Sequence, residues 1–96
     1  MLTGKQRAFL KGKANTIDPI FQLGKNGVTK GFIKQVEDAL ETREIVKIKV
    51  LNNSMLDATD VANEIAEEID AEFVQSIGSK FVLYKESKEN KKIELP

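Results

Sequence analysis

The residues best placed for chemistry in this chain are two glycines three apart, Gly24 and Gly27, with Lys25 and Asn26 between them. An apolar run, Ile20-Phe21-Gln22-Leu23, leads in, and a helix-patterned segment starting near Thr29 leads out. That order predicts a strand, a tight G-x-x-G turn and a helix N-terminus. Glycine has no Cβ, so such a turn can reach positive φ and let another backbone come close. The first N–H groups of the following helix open into the same space and favour an anion there. Lys25 and Lys30 add charge, and Thr29 is the expected helix cap. Physically this is a small phosphate cradle. The competing reading is a turn in which glycine only redirects the chain. Asn-Gly is also a hairpin signal, but Phe32, Ile33, Val36, Ala39 and Leu40 follow at helical spacing and argue against a hairpin. Neither nucleotide fingerprint fits: G-x-x-x-x-G-K-[ST] is missing, and Gly24, Gly27 and Gly31 do not match G-x-G-x-x-G.

The elements that must position this turn belong to one domain, since 96 residues suffice for a single core. With no cysteine, neither a disulfide framework nor a thiolate metal site is possible; with no histidine, the commonest general base and metal ligand are missing. An enzyme is therefore not expected, nor is a cofactor or metal. No apolar run reaches membrane-spanning length and Met1-Leu2-Thr3 does not open a signal peptide, so a cytoplasmic protein is expected. The formal net charge is zero, but its distribution is uneven. Residues 1–35 carry seven cationic side chains against Asp18 alone, a net +6. Residues 36–72 carry three against eleven acidic ones, a net −8, and the remainder five against three, a net +2. Such polarity gives a basic patch locally whatever the total, and the glycine turn lies in the basic part.

Thr3 followed by Gln6 is a capping-box pattern, predicting a first helix over 3–14 with Phe9, Leu10 and Ala14 inward and Lys5, Arg7, Lys11 and Lys13 outward or flanking. Asn15-Thr16-Ile17-Asp18-Pro19 breaks it, and 20–23 reads as a short buried strand. The second helix is expected over 30–43. Lys30 and Lys34 near its start oppose the helix dipole unless an anion offsets them. Residues 44–51 alternate, with Val46, Ile48 and Val50 on one face and Lys47 and Lys49 on a basic outer face. A turn at 52–54 leads to a third helix capped by Asp57, with Ala58, Val61, Ala62, Ile65, Ala66 and Ile69 as its apolar stripe. Its Glu64, Glu67 and Glu68 form a solvated face, with nothing converging on them to make a metal site. Residues 73–77 and 81–84 are two strands joined through Gly78-Ser79, a glycine-first hairpin turn. Residues 85–92 read as polar and mobile, with Ile93-Glu94-Leu95 able to dock. The order α-β-α-β-α-β-β implies an α/β fold in two layers. Right-handed crossover makes the first two strands parallel, and the terminal hairpin completes a mixed four-stranded sheet.

This order, with L-T-G-K-Q-R-A-F-L-K-G-K-A, D-P-I-F-Q-L-G-K-N-G-V-T, L-E-T-R-E-I-V-K-I-K-V and V-Q-S-I-G-S-K-F-V-L-Y-K, resembles the bacterial YhbY family, the single-domain form of the CRM (chloroplast RNA splicing and ribosome maturation) domain. The resemblance implies an RNA-binding fold over 1–86, followed by a polar tail, 87–96. It implies likeness to the C-terminal domain of translation initiation factor three and a loop, Gly24-Lys25-Asn26-Gly27, comparable with the backbone-clamping G-x-x-G loop of KH domains. It also implies ribosomal RNA in large-subunit precursors as the partner, and a role in their maturation. Neither a small-molecule substrate nor a membrane is expected, and the chain is expected to be a monomer.

The sites expected for RNA are thus Gly24, Lys25, Asn26, Gly27, Thr29, Lys30, Lys34, Lys5, Arg7, Lys11, Lys13, Lys47 and Lys49, with Lys80 and Lys85 extending them across an open sheet face. The scarcity of aromatic platforms favours recognition of backbone and shape over base stacking. A protein-interaction adaptor acting through the acidic third helix is the alternative.

Overall fold

Thr3 and Gln6 form the expected box: Gln6 N–H donates to Thr3 Oγ1 at 3.1 Å, and Thr3 N–H to Gln6 Oε1 at 3.1 Å. Two orphan donors are thereby satisfied at the start of α1 (Gly4–Ala14). The computed structural model describes residues 2–52 and 55–96. In chain order follow β1 (Phe21–Leu23), α2 (Lys30–Arg43), β2 (Ile45–Val50), α3 (Ala58–Ile69), β3 (Glu72–Ile77) and β4 (Lys80–Tyr84), the predicted sequence of elements. Of the turn expected at 52–54, residues 53 and 54 lie outside the described residues.

The sheet order is β1-β2-β4-β3. β1 runs parallel to β2, and β4 pairs antiparallel with both β2 and β3. Register sets Phe21 beside Ile48, Ile48 beside Phe81, and Lys49 beside Lys80. The β3–β4 hairpin closes through Gly78-Ser79, with Gly78 at φ +60 as a glycine-first turn requires.

The larger core lies between one sheet face and helices α2 and α3. It joins Val46, Ile48, Phe81 and Leu83 to Val36 and Leu40 of α2 and to Val61, Ile65 and Ile69 of α3. All six apolar residues expected on α3 are buried, and Glu64, Glu67 and Glu68 are exposed. The other face carries a smaller core of Leu10, Ala14, Ile45, Val74, Val82, Tyr84 and Ile93. There α1 covers the part of the sheet that carries Ile45, Val74, Val82 and Tyr84.

Three expectations are corrected. Phe9 does not point inward: it is 38% exposed, with Lys13 Nζ 5.6 Å from its ring centroid. The stripe of α1 that faces the sheet is narrow, Leu10 and Ala14, and Phe9 falls on its flank. Residues 20–23 do not form a buried strand, because β1 is an edge strand in which only Leu23 is buried. Residues 85–92 are not a loose tail. Glu44, fully buried, accepts from the backbone N–H groups of Ser87 (2.7 Å), Lys92 (2.6 Å) and Ile93 (2.7 Å). Glu41 accepts from Ser87 Oγ at 2.8 Å and Lys88 N–H at 3.1 Å. These carboxylates clasp the end of the chain, and Ile93 docks as expected.

Candidate nucleic-acid interface

At the carboxyl end of β1 the chain turns through Gly24-Lys25-Asn26-Gly27, closed by Gly27 N–H donating to Gly24 C=O at 3.0 Å. Gly27 stands at φ +72, a conformation that explains a glycine by itself. Lys25 and Asn26, at the tip, are exposed. Thr29 caps α2, its Oγ1 accepting from Phe32 N–H at 3.1 Å. The N–H groups of Lys30 and Gly31 have no intrahelical carbonyl to reach. The turn and the helix start enclose a shallow concavity of about 320 Å³ lined by Gly24, Asn26, Gly27, Thr29 and Gly31.

Two of those glycines are not required by the fold. Gly24 has no positive φ, and a Cβ there would meet only Leu51 Cδ1, at 3.6 Å, an ordinary contact. Gly31 lies inside the first turn of α2, where a Cβ would come no closer than 3.9 Å to Thr29 Oγ1. Glycine in a helix costs about 1 kcal/mol relative to alanine. Both line the same concavity.

Gln22 links this concavity to the open part of the sheet, since it lines the turn and pairs with Lys49. Alternation along the strands aligns Gln22, Lys49, Lys80 and Ile77 in one row on the face that α1 leaves uncovered. Lys47, Val82 and Gln75 form the next row. Lys47, Lys49 and Lys80 make no ion pair among the described residues. A further hollow beside Lys47 is lined by Asp18, Ile20, Arg43 and Lys92.

The remaining expected residues divide. The last turn of α1, with Lys11 and Lys13 exposed, adjoins the open face through Asn15. Lys5 sits near the other end of the sheet, where Leu2 N–H donates to Glu72 Oε1. The Arg7 guanidinium donates to the carbonyls of Phe73 and Val74, at the bulge of β3, so its donors hold α1 on the sheet. Lys34 bonds Asp38 at 3.1 Å, and that hydrogen bond and charge raise its pKa. Lys85 Nζ donates to Ile69 C=O at 2.6 Å, away from the open face. Lys30 is exposed beside the turn. Gln22, Arg43 and Lys92 reach this surface through strand register, the end of α2 and the clasped C-terminus, which local patterns do not carry.

The comparisons agree with this architecture. Residues 2–85 match the family described as CRS1 / YhbY (CRM) domain. The protein named Probable RNA-binding protein YqeI in Bacillus subtilis (strain 168) is 54% identical over 96 residues, covering 100% of both chains. A Haemophilus influenzae protein named RNA-binding protein is 41% identical over 95 residues, covering 99% of this chain and 95% of its own. The solution structure of a hypothetical protein from Staphylococcus aureus superposes with a TM-score of 0.83 at 52% identity, covering both chains fully. The chain belongs to the CRS1/YhbY (CRM) domain family.

Proposed function

We propose that the chain binds RNA through the Gly24–Gly27 turn and the open, lysine-bearing face of its sheet, and that the RNA is ribosomal, within precursors of the large subunit, whose maturation it assists in the cytoplasm. The observation that carries RNA binding is the pair of glycines the fold does not need. Gly24 and Gly31 remove side chains from one concavity where free helix N–H groups favour phosphate, with exposed Lys25 and Lys30 flanking it in the chain. The relatives' names and the lysines across the sheet, which make no ion pair among the described residues, support the same reading. The assignment to large-subunit precursors rests on the family resemblance. Residues 1–86 would supply the binding module, with 87–96 clasped against it. Contacts would be mainly to phosphate and sugar, positioning the chain on folded RNA rather than reading a long sequence.

Gly31→Ala tests the cradle. In a turn that only redirects the chain, alanine raises stability by about 0.5–1 kcal/mol and leaves RNA binding untouched. In a phosphate cradle the same variant melts higher yet binds RNA more weakly, because the added methyl stands where backbone and phosphate meet. Thermal melting and filter binding, done in parallel, separate the two.

A further inference from the structure

Between the β3–β4 hairpin and the end of α1 the sheet carries a second concavity, of about 400 Å³, distinct from the glycine turn. Exposed Ile77, at 64% accessibility, forms its apolar wall, and Val82 beneath it is buried in the core under α1. Lys47 and Lys80 stand at its sides, and no carboxylate among the described residues lines it. The side-chain amides of Asn15 and Gln75 also line it, and neither makes a hydrogen bond among the described residues. An exposed apolar wall, with planar amides and lysines that have no side-chain hydrogen bond or ion pair among the described residues, gives the three parts that recognise an unpaired nucleotide. Ile77 packs the base face, the amides match its donor and acceptor edge, and the lysines meet its phosphates. The volume lies in the range of small organic ligands.

We propose that this concavity is a base-reading site for an unpaired nucleotide of the bound RNA. The inference rests on the RNA-binding reading and adds to it a point of sequence preference that the glycine turn cannot supply. The site is continuous with the turn: the Gln22, Lys49, Lys80, Ile77 row spans three strand spacings, about 14 Å, between them. An RNA strand crossing that row places one nucleotide in the hollow while its neighbours reach the turn.

The test is titration of the native chain with short oligoribonucleotides made of A, C, G or U alone. Nuclear magnetic resonance reports the amide groups, and fluorescence anisotropy reports affinity. One base is expected to bind roughly tenfold more tightly than the weakest, with the side-chain amide resonances of Asn15 and Gln75 moving on binding. Asn15→Ala and Gln75→Ala should each level the preference while keeping most of the affinity for the weakest base. Lys25→Asp with Asn26→Asp should lower affinity for all four alike. Equal affinity for the four bases, or shifts confined to residues around the glycine turn, overturns this inference and leaves the RNA reading standing. Absence of binding to any oligonucleotide overturns this inference, and absence of binding to large-subunit precursor RNA as well overturns both.

Discussion

Replacing Lys25 and Asn26 together by aspartate should abolish most RNA binding without harming the fold. Both side chains are exposed at the tip of the turn, and neither makes a side-chain contact the fold depends on. The turn is held by the Gly27 N–H to Gly24 C=O bond and by Gly27 at φ +72, and the double substitution changes neither. Stability should therefore shift by about 0.5 kcal/mol or less. Two carboxylates placed where a phosphate must sit repel it, and like charges brought together with water excluded cost several kcal/mol. RNA affinity should fall on the order of tenfold or more. Thermal melting and cosedimentation with large-subunit precursors read the two effects separately. A variant that melts normally and still cosediments would show that the glycines only turn the chain, and the acidic face of α3 would become the leading surface.

The largest effect on stability is expected at Glu44. This residue ends α2 in the left-handed region, at φ 65, where glycine is usual, and it is fully buried. Burial opposes its charge, but the N–H groups of Ser87, Lys92 and Ile93, with Lys91 nearby, outweigh burial and hold its carboxyl below the ordinary value. Glu44→Ala leaves three inward-facing donors without an acceptor. The loss should be about 3 kcal/mol or more, lowering the melting temperature by on the order of 15 °C in a domain of this size. The clasp also brings Lys92 beside Lys47, so the variant should weaken RNA binding as well. Glu44→Gly relieves the backbone strain and still removes the carboxylate; a loss nearly as large would assign the effect to the carboxylate. The pH dependence has a definite sign. A carboxyl whose pKa is lower folded than unfolded stabilises fully above the unfolded value, about 4.3, and loses that stabilisation as pH falls through the folded value. Glu41 is held down in the same direction, by the Ser87 hydroxyl and the Lys88 N–H. The native chain should lose stability below about pH 4.5, and Glu44→Gln should reduce that loss.

Local patterns explain what could be read from the sequence. The bounds of α2 follow from Thr29 and the apolar spacing of Val36 and Leu40, and they match the structure residue for residue. The buried stripe of α3 and the Gly78-Ser79 hairpin are equally local. The clasp was hidden because its donors lie 43–49 residues from Glu44, and no short-range signal marks a buried acceptor for distant N–H groups. Arg7 stands among the residues expected for RNA for a similar reason. Its partners are carbonyls at a bulge between Phe73 and Gln75, a register detail that composition does not show. The glycine turn was legible as a motif. Which of its glycines the fold requires became clear only from φ values and the space around each one.

Ultraviolet crosslinking in cells, with both the RNA and the crosslinked peptide identified, tests the central claim most directly. Crosslinks should fall on residues 20–34 and on the strands bearing Lys47, Lys49 and Lys80, and the RNA should derive from large-subunit precursors. Crosslinks confined to the acidic face of α3, or to none of these strands, would contradict it.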